Sequence, residues 1–153
     1  MILIAHRGLM NGPDKSLENK PEQIDKALKE GYDVEVDVWH SNGKWFLGHD
    51  GPITEIPFKF LKKKGLWIHC KNWWALESLS ATSRKLHYFW HQTDCYTLTS
   101  KGIPWVYPGK RTITTGVRVL PEEVGDLKDI ASMDKCYGIC SDYVNEIRKT
   151  LNG

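Results

Sequence analysis

Two acids alternate with three valines in the run Val34-Glu35-Val36-Asp37-Val38. In an extended strand successive side chains point to opposite faces. Val34, Val36 and Val38 therefore share one face, while Glu35, Asp37 and Trp39 share the other. Residues two apart on a strand are ~7 Å apart and point the same way. Paired carboxylates at that spacing repel unless a cation joins them, and buried acids without a partner are costly. The chain then reverses at Asn42-Gly43, the favoured dipeptide of a tight hairpin. It returns through Trp45–Leu47 and delivers His49-Asp50. One short segment thus supplies a cation site and a histidine, the side chain best suited to carry a proton near neutral pH. A second histidine, His6, ends the apolar stretch Ile2–Ala5 and is followed by Arg7-Gly8.

The rest of the chain must position these groups. At 153 residues with a formal charge of +2, it reads as one domain, residues 1–153, with a real core. The charge is too mild for a nucleic-acid partner, and no apolar run approaches the ~20 residues of a membrane span. The apolar start in MILIAHRG is a strand, shorter than the ~7–15-residue core of a secretory leader, so the expected location is cytoplasmic. Cys70, Cys95, Cys136 and Cys140 lack zinc-finger spacing and read as reduced thiols.

A helix is expected from Pro21, with Ile24, Ala27 and Leu28 as its apolar face and Gly31 just past its end. Further helices are expected at Phe58–Lys64 and over Trp73–Ala81, the latter capped by Asn72. Thr97–Lys101 reads as a helical turn and Pro121–Met133 as short helical pieces. A terminal helix carries Val144, Ile147 and Leu151, with Asp142 as its cap. Strands are expected at Asp33–Trp39, Leu66–Lys71, Leu86–Trp90, Ile103–Tyr107, Gly116–Leu120 and Tyr137–Ser141, besides the first. In Leu66–Lys71, Trp67, His69 and Lys71 share a face. His87 reads as outward-facing, and Trp39, Trp67 and Trp105 as core or pocket wall. Strand–helix alternation with short connections implies an α/β fold with a parallel sheet. His6, Asp37, Lys71, His91 and Asp142 collect at the C-terminal strand ends, where sites form in such sheets. Seven strands can be counted, and an eighth would lie in Arg111–Thr115 or Lys128–Ser132. A closed barrel normally takes ~200 residues or more. The expectation is therefore a compact TIM-barrel-like fold of seven to eight short parallel strands with reduced helices.

Taken in order, His6-Arg7-Gly8, Glu18-Asn19, Glu35-Val36-Asp37 and His49-Asp50 resemble the glycerophosphodiester phosphodiesterase family over residues 6–50. Cys140-Ser141-Asp142 weakly resembles that family's last strand, and Tyr88–Gly109 departs from its pattern, which suggests a compact, divergent branch. The resemblance implies a fold like that of the phospholipase C-like phosphodiesterases and hydrolysis of a small phosphodiester in lipid metabolism. It implies His6 and His49 as the acid–base pair, Glu35 and Asp37 as metal ligands, and Arg7 and Lys71 as phosphate-binding groups. Glu18 would orient Arg7 or His6. The implied cofactor is a divalent cation, Mg²⁺ or Ca²⁺. Such chemistry needs neutralised phosphoryl oxygens, an activated nucleophile and a protonated leaving alkoxide.

His69 stands where the family places a third carboxylate. Either the site is Glu35/Asp37/His69, for which imidazole favours Mn²⁺ or Zn²⁺, or the third ligand is lost and metal binding is weak or absent. Lys71 would otherwise be a structural cation balancing Glu35 or Asp37, and Arg7 would pair with Glu18. The rival functions are a catalytically inactive module that binds a phosphate or sugar phosphate, and a lyase that forms a cyclic phosphate at the same site.

Overall fold

The computed structural model describes residues 1–82, 85–111, 113–125, 127 and 135–153. In chain order the elements are β1 (Ile2–His6), α1 (Pro21–Lys29), β2 (Asp33–Ser41), β3 (Lys44–Leu47), β4 (Thr54–Ile56) and β5 (Leu66–Cys70). They continue with α2 (Trp73–Thr82), β6 (Tyr88–Trp90), β7 (Tyr96–Leu98), β8 (Pro104–Val106), β9 (Val117–Val119), β10 (Gly138–Ser141) and α3 (Val144–Asn152). Among the described residues seven strands run parallel, in the spatial order β6-β5-β2-β1-β10-β9-β8. Three antiparallel strands are added: β3 on the far end of β2, β4 on β3, and β7 on β8.

The sheet curls into a half-barrel rather than a ring of ladders. At its two ends side chains stitch the seam: Thr97 Oγ1 donates to the Trp90 carbonyl at 3.0 Å, and Ser100 Oγ accepts the Tyr88 N–H at 3.0 Å.

The strand period builds the interior in layers. The convex face carries Val34, Val36, Val38, Ile68 and Cys70, which pack with Ile24 and Ala27 of α1 and Ala75 and Leu79 of α2. The concave face has an apolar floor of Ile4, Trp67, Phe89, Trp105, Val117 and Cys140. Two residues on from most of these floor positions stand His6, His69, His91, Tyr107 and Asp142. Alternation therefore puts them on the same face one layer higher, towards the C-terminal edge. Register fixes the neighbours: His6 lies beside Glu35, and Asp37 beside His69.

The local signals act as expected at α1 and α2. Pro21 opens α1, Ile24 and Ala27 are buried, and Gly31 follows its end at φ 85°. Asn72 Oδ1 accepts the Ala75 N–H at 3.1 Å, while its amide and Oδ1 also bond the His40 carbonyl and N–H, so one side chain caps α2 and ties it to β2. Three readings are corrected. Thr97–Lys101 is not a helical turn, because Tyr96–Leu98 pairs antiparallel with β8 through a turn at Gly102. Phe58–Lys64 holds only a 3-10 turn over Phe58–Lys62. β4 extends the hairpin by pairing antiparallel with β3. His87 does not face outward: its ring lies 3.9 Å from that of Trp67 and bonds Thr99 Oγ1, and burial, with the Lys101 charge, lowers its pKa to about 4. The described positions of Arg111–Thr115 form no strand, and Lys128–Ser132 lies outside the described residues, as does most of Pro121–Met133 beyond a 3-10 turn at Pro121–Glu123.

Candidate active site and metal centre

A cavity of about 370 Å³ opens at the C-terminal edge of the sheet and is lined by His6, Arg7, Glu35, Asp37, His49, His69 and Lys71. Of the eight residues given catalytic, metal-binding or phosphate-binding roles from the sequence, only Glu18 is not on the wall; it holds Arg7 from behind, accepting from Nη1 at 2.9 Å. Glu35 and Asp37 are almost fully buried, 2% and 1% exposed, as inward positions of a strand covered on both faces must be.

The acids do not stand alone. Asp37 Oδ1 lies 3.1 Å from His69 Nδ1 and 3.5 Å from Lys71 Nζ. Its other oxygen accepts the Asn19 amide at 2.9 Å, and the Asn19 carbonyl oxygen accepts the Asp37 backbone N–H at 3.0 Å. Arg7 Nε lies 3.3 Å from Asp37 Oδ2 without hydrogen-bond alignment, so that contact is one of charge. Arg7 has φ 52°, a left-handed turn that aims its backbone N–H at Glu35 Oε2, 3.2 Å away. Burial pushes the Asp37 carboxyl up, but the His69 hydrogen bond and charge, then Lys71 and Arg7, hold it far below the usual range.

Glu35, Asp37 and His69 each offer one ligand atom, and these atoms all lie within 4.8 Å of one another, so the cluster can hold a metal ion. Its donor chemistry fits. His69 Nε2 donates to the His91 carbonyl at 2.9 Å, which leaves the Nδ1 position facing the carboxylates, an orientation usual for a ligating imidazole. In the metal-free protein a proton takes that place. Burial lowers the His69 pKa, but hydrogen bonds and charge from Asp37 and Glu35 override it and raise the value to about 9.

This has two pH consequences of opposite sign. The unfolded value is ~6.5, so in chelated protein the His69 contribution is complete below pH ~6.5 and lost as pH rises through about 9. Urea unfolding should show a loss on the order of 2 kcal/mol across that window. Divalent-ion affinity should instead rise over the same window, because a ligating imidazole must first shed its proton. A pH-independent affinity between 6.5 and 9 would exclude His69 as a ligand.

The two site histidines are built alike. His6 Nδ1 lies 2.8 Å from Asp142 Oδ1. A carboxylate only accepts, so Nδ1 carries the proton and Nε2 is turned into the site, 3.9 Å from Glu35 Oε2. Burial lowers the His6 pKa, but the Asp142 hydrogen bond and the Glu35 charge outweigh it, leaving a net rise. His49 Nδ1 lies 2.7 Å from Asp50 Oδ1 on a more exposed loop. Gly48 sets that loop: its carbonyl accepts Trp39 Nε1, its N–H donates to the Asp37 carbonyl, and an added Cβ would meet the Gly51 oxygen at 2.2 Å.

Asp142 is the largest correction to the sequence reading. It is not the cap of α3, whose N-cap is Tyr143 with no side-chain cap bond. Its carboxylate belongs to His6, and Glu122 Oε1 secures the strand end by accepting the Ser141 hydroxyl and the Asp142 N–H. Asn19 was part of a motif but had no role assigned, although it makes two hydrogen bonds to Asp37. Trp39 is not on the cavity wall, whereas Trp90, Trp105 and Tyr107 are. No helix among the described residues is long and apolar enough to cross a membrane. No protein-family model and no curated protein matches this chain.

Proposed function

We propose that this protein is a metal-dependent phosphodiesterase that hydrolyses a diester carrying a small polyol or sugar by two-histidine acid–base catalysis. The observation that carries the reading is the His6–Asp142 pair, its Nε2 turned towards Glu35 in one cavity with Asp37, His69, Arg7 and Lys71. Pure binding does not need two proton-transfer groups, and His6 and His49 line one cavity. The fold is read as a reduced relative of the phospholipase C-like barrels, in keeping with the ordered motifs over residues 6–50. Free cysteines at 70, 95, 136 and 140 suit a cytoplasmic setting.

In this mechanism Glu35, Asp37 and His69 would hold a divalent cation, which would supply positive charge to the phosphoryl oxygens. Lys71 and the Arg7 guanidinium add positive charge to the same wall and orient the diester. His6 Nε2, with its lone pair available, removes the proton from the attacking hydroxyl or water. His49 delivers a proton to the leaving alkoxide, and Asp50 holds its ring for that task.

Chelated protein given bis(p-nitrophenyl) phosphate and glycerophosphodiesters, with Mg²⁺, Ca²⁺, Mn²⁺ or Zn²⁺ restored in turn, should release product only with metal. No release with any of them would overturn the reading. Phosphorus NMR of the first product separates hydrolysis from formation of a cyclic phosphate.

A further inference from the structure

A fourth imidazole faces the cavity, and the proposed reaction does not use it. His91 follows β6 and stands one layer above Phe89 on the concave face. Its carbonyl serves His69, but its ring is held separately. Nδ1 lies 2.9 Å from Asp94 Oδ2, and the other Asp94 oxygen accepts the Gln92 N–H at 3.2 Å. Because a carboxylate only accepts, Nδ1 carries the proton, so the tautomer this pair selects presents its lone pair at Nε2. Among the described residues Nε2 has no hydrogen-bond partner. The side chain is only 10% exposed, so this is not a ring left loose in solvent.

The surroundings have a consistent chemistry. The Tyr107 ring lies 5.5 Å from that of His91, and Trp90, Gln92 and Glu123 share the same cavity. His91 and Tyr107 follow β6 and β8, the two ends of the parallel run. The cations and candidate metal ligands come from β1, β2 and β5 near its middle. The cavity is thus cationic in one part, and aromatic and rich in acceptors in the other.

We propose that His91 is a specificity-determining residue whose Nε2 accepts a hydrogen bond from a hydroxyl of the substrate's alcohol. With Glu123 and the face of Tyr107, it selects a hydroxyl-rich six-membered ring, a sugar or cyclitol. The C–H face of such a ring covers the Tyr107 ring, while its hydroxyls donate to His91 and Glu123. A simple alkyl alcohol has no spare hydroxyl and would leave Nε2 desolvated without a donor, which a polar pocket rejects strongly. Glycerol brings donors but no flat ring. A quaternary ammonium suits the Tyr107 face and Glu123 but gives Nε2 nothing to accept. The location of the phosphoryl group rests on the phosphodiesterase reading; the recognition of the alcohol does not need turnover.

Calorimetric titration with glucose 1-phosphate, glycerol 3-phosphate and phosphocholine tests this without hydrolysis. The wild type should bind glucose 1-phosphate about tenfold tighter than the other two. His91→Asn keeps an amide at the Nδ1 position against Asp94 and removes Nε2, so it should lose about tenfold for glucose 1-phosphate. His91→Gln, whose amide reaches the Nε2 position, should recover part of that loss; a merely structural role would move both variants alike. In the unmodified protein, the His91 imidazole resonances should shift on adding glucose 1-phosphate and not on adding phosphocholine, a readout that needs no variant. Equal affinity for the three probes, equal loss in both variants, or an unmoved His91 resonance would overturn the proposal. Selective sugar-phosphate binding with no hydrolysis of any diester would leave the proposal standing and overturn the phosphodiesterase reading alone.

Discussion

Replacing His6 with alanine is expected to lower phosphodiester turnover by ~10²–10⁴-fold, the usual range for losing a positioned acid or base. The expectation rests on geometry. His6 is fixed at the end of β1 by pairing with β2 and β10, its Nδ1 is locked by Asp142, and its Nε2 is turned towards Glu35. The fold should survive, because the ring stands above the apolar floor rather than in it. The unpaired Asp142 would cost ~1–3 kcal/mol.

A milder change separates chemistry from packing. Asp142→Asn keeps the shape but removes the carboxylate that raises the His6 pKa. If His6 acts as a base, activity falls as pH drops through its pKa, so the acid limb of the kcat/KM profile should move to lower pH in that variant. His49→Ala should also lose turnover. Wild-type rates in both alanine variants would remove the acid–base assignment.

Asp37→Ala is expected to be the most destabilising substitution in the site, at ~3–5 kcal/mol. The aspartate is faced by three positively charged side chains, His69, Lys71 and Arg7, and its carboxylate accepts a hydrogen bond from the Asn19 amide. Removing it leaves Arg7 its pair with Glu18 and His69 its contact with Glu35, but takes from Lys71 the acid it faces. Because its folded pKa is depressed, the stability it supplies is complete above the unfolded value of ~3.9 and is lost as pH falls below that. The alanine variant should therefore show a flatter acid limb of unfolding free energy against pH than the wild type, besides a lower Tm. Divalent-ion binding should disappear in Asp37→Ala and also in Asp37→Asn, which keeps more of the local hydrogen bonding. Wild-type stability together with wild-type metal affinity in Asp37→Ala would show that the residue is neither ligand nor keystone.

These expectations show which parts of the site were legible in the chain. Glu35 and Asp37 were visible because a two-residue period on a valine-rich strand is a local property, and buried acids stand out against it. His49 was tied to them by a hairpin whose turn, Asn42-Gly43, is equally local. The helix start at Pro21 and the Asn72 cap of α2 also depend on a few adjacent residues. The misreadings have a common cause. Thr97–Lys101 has no strong period of its own, and only the neighbouring β8 makes part of it a strand. His87 looked like an outward strand residue, but Trp67 from another strand covers it.

What the sequence determined by itself was the α/β alternation, which residues share a face in β2 and β5, and the set of acids, histidines and cations delivered to one edge of the sheet. Alternation and turn chemistry act over a few residues, so they can be read without coordinates. What only the tertiary structure decided was pairing. Asp142 serves His6 from 136 positions away because β1 lies beside β10. His69 meets Asp37 because β2 and β5 are in that register and no other. A shift by one residue would have turned either partner to the opposite face. Which carboxylate binds which imidazole is therefore set by strand order and register, quantities that local sequence does not contain.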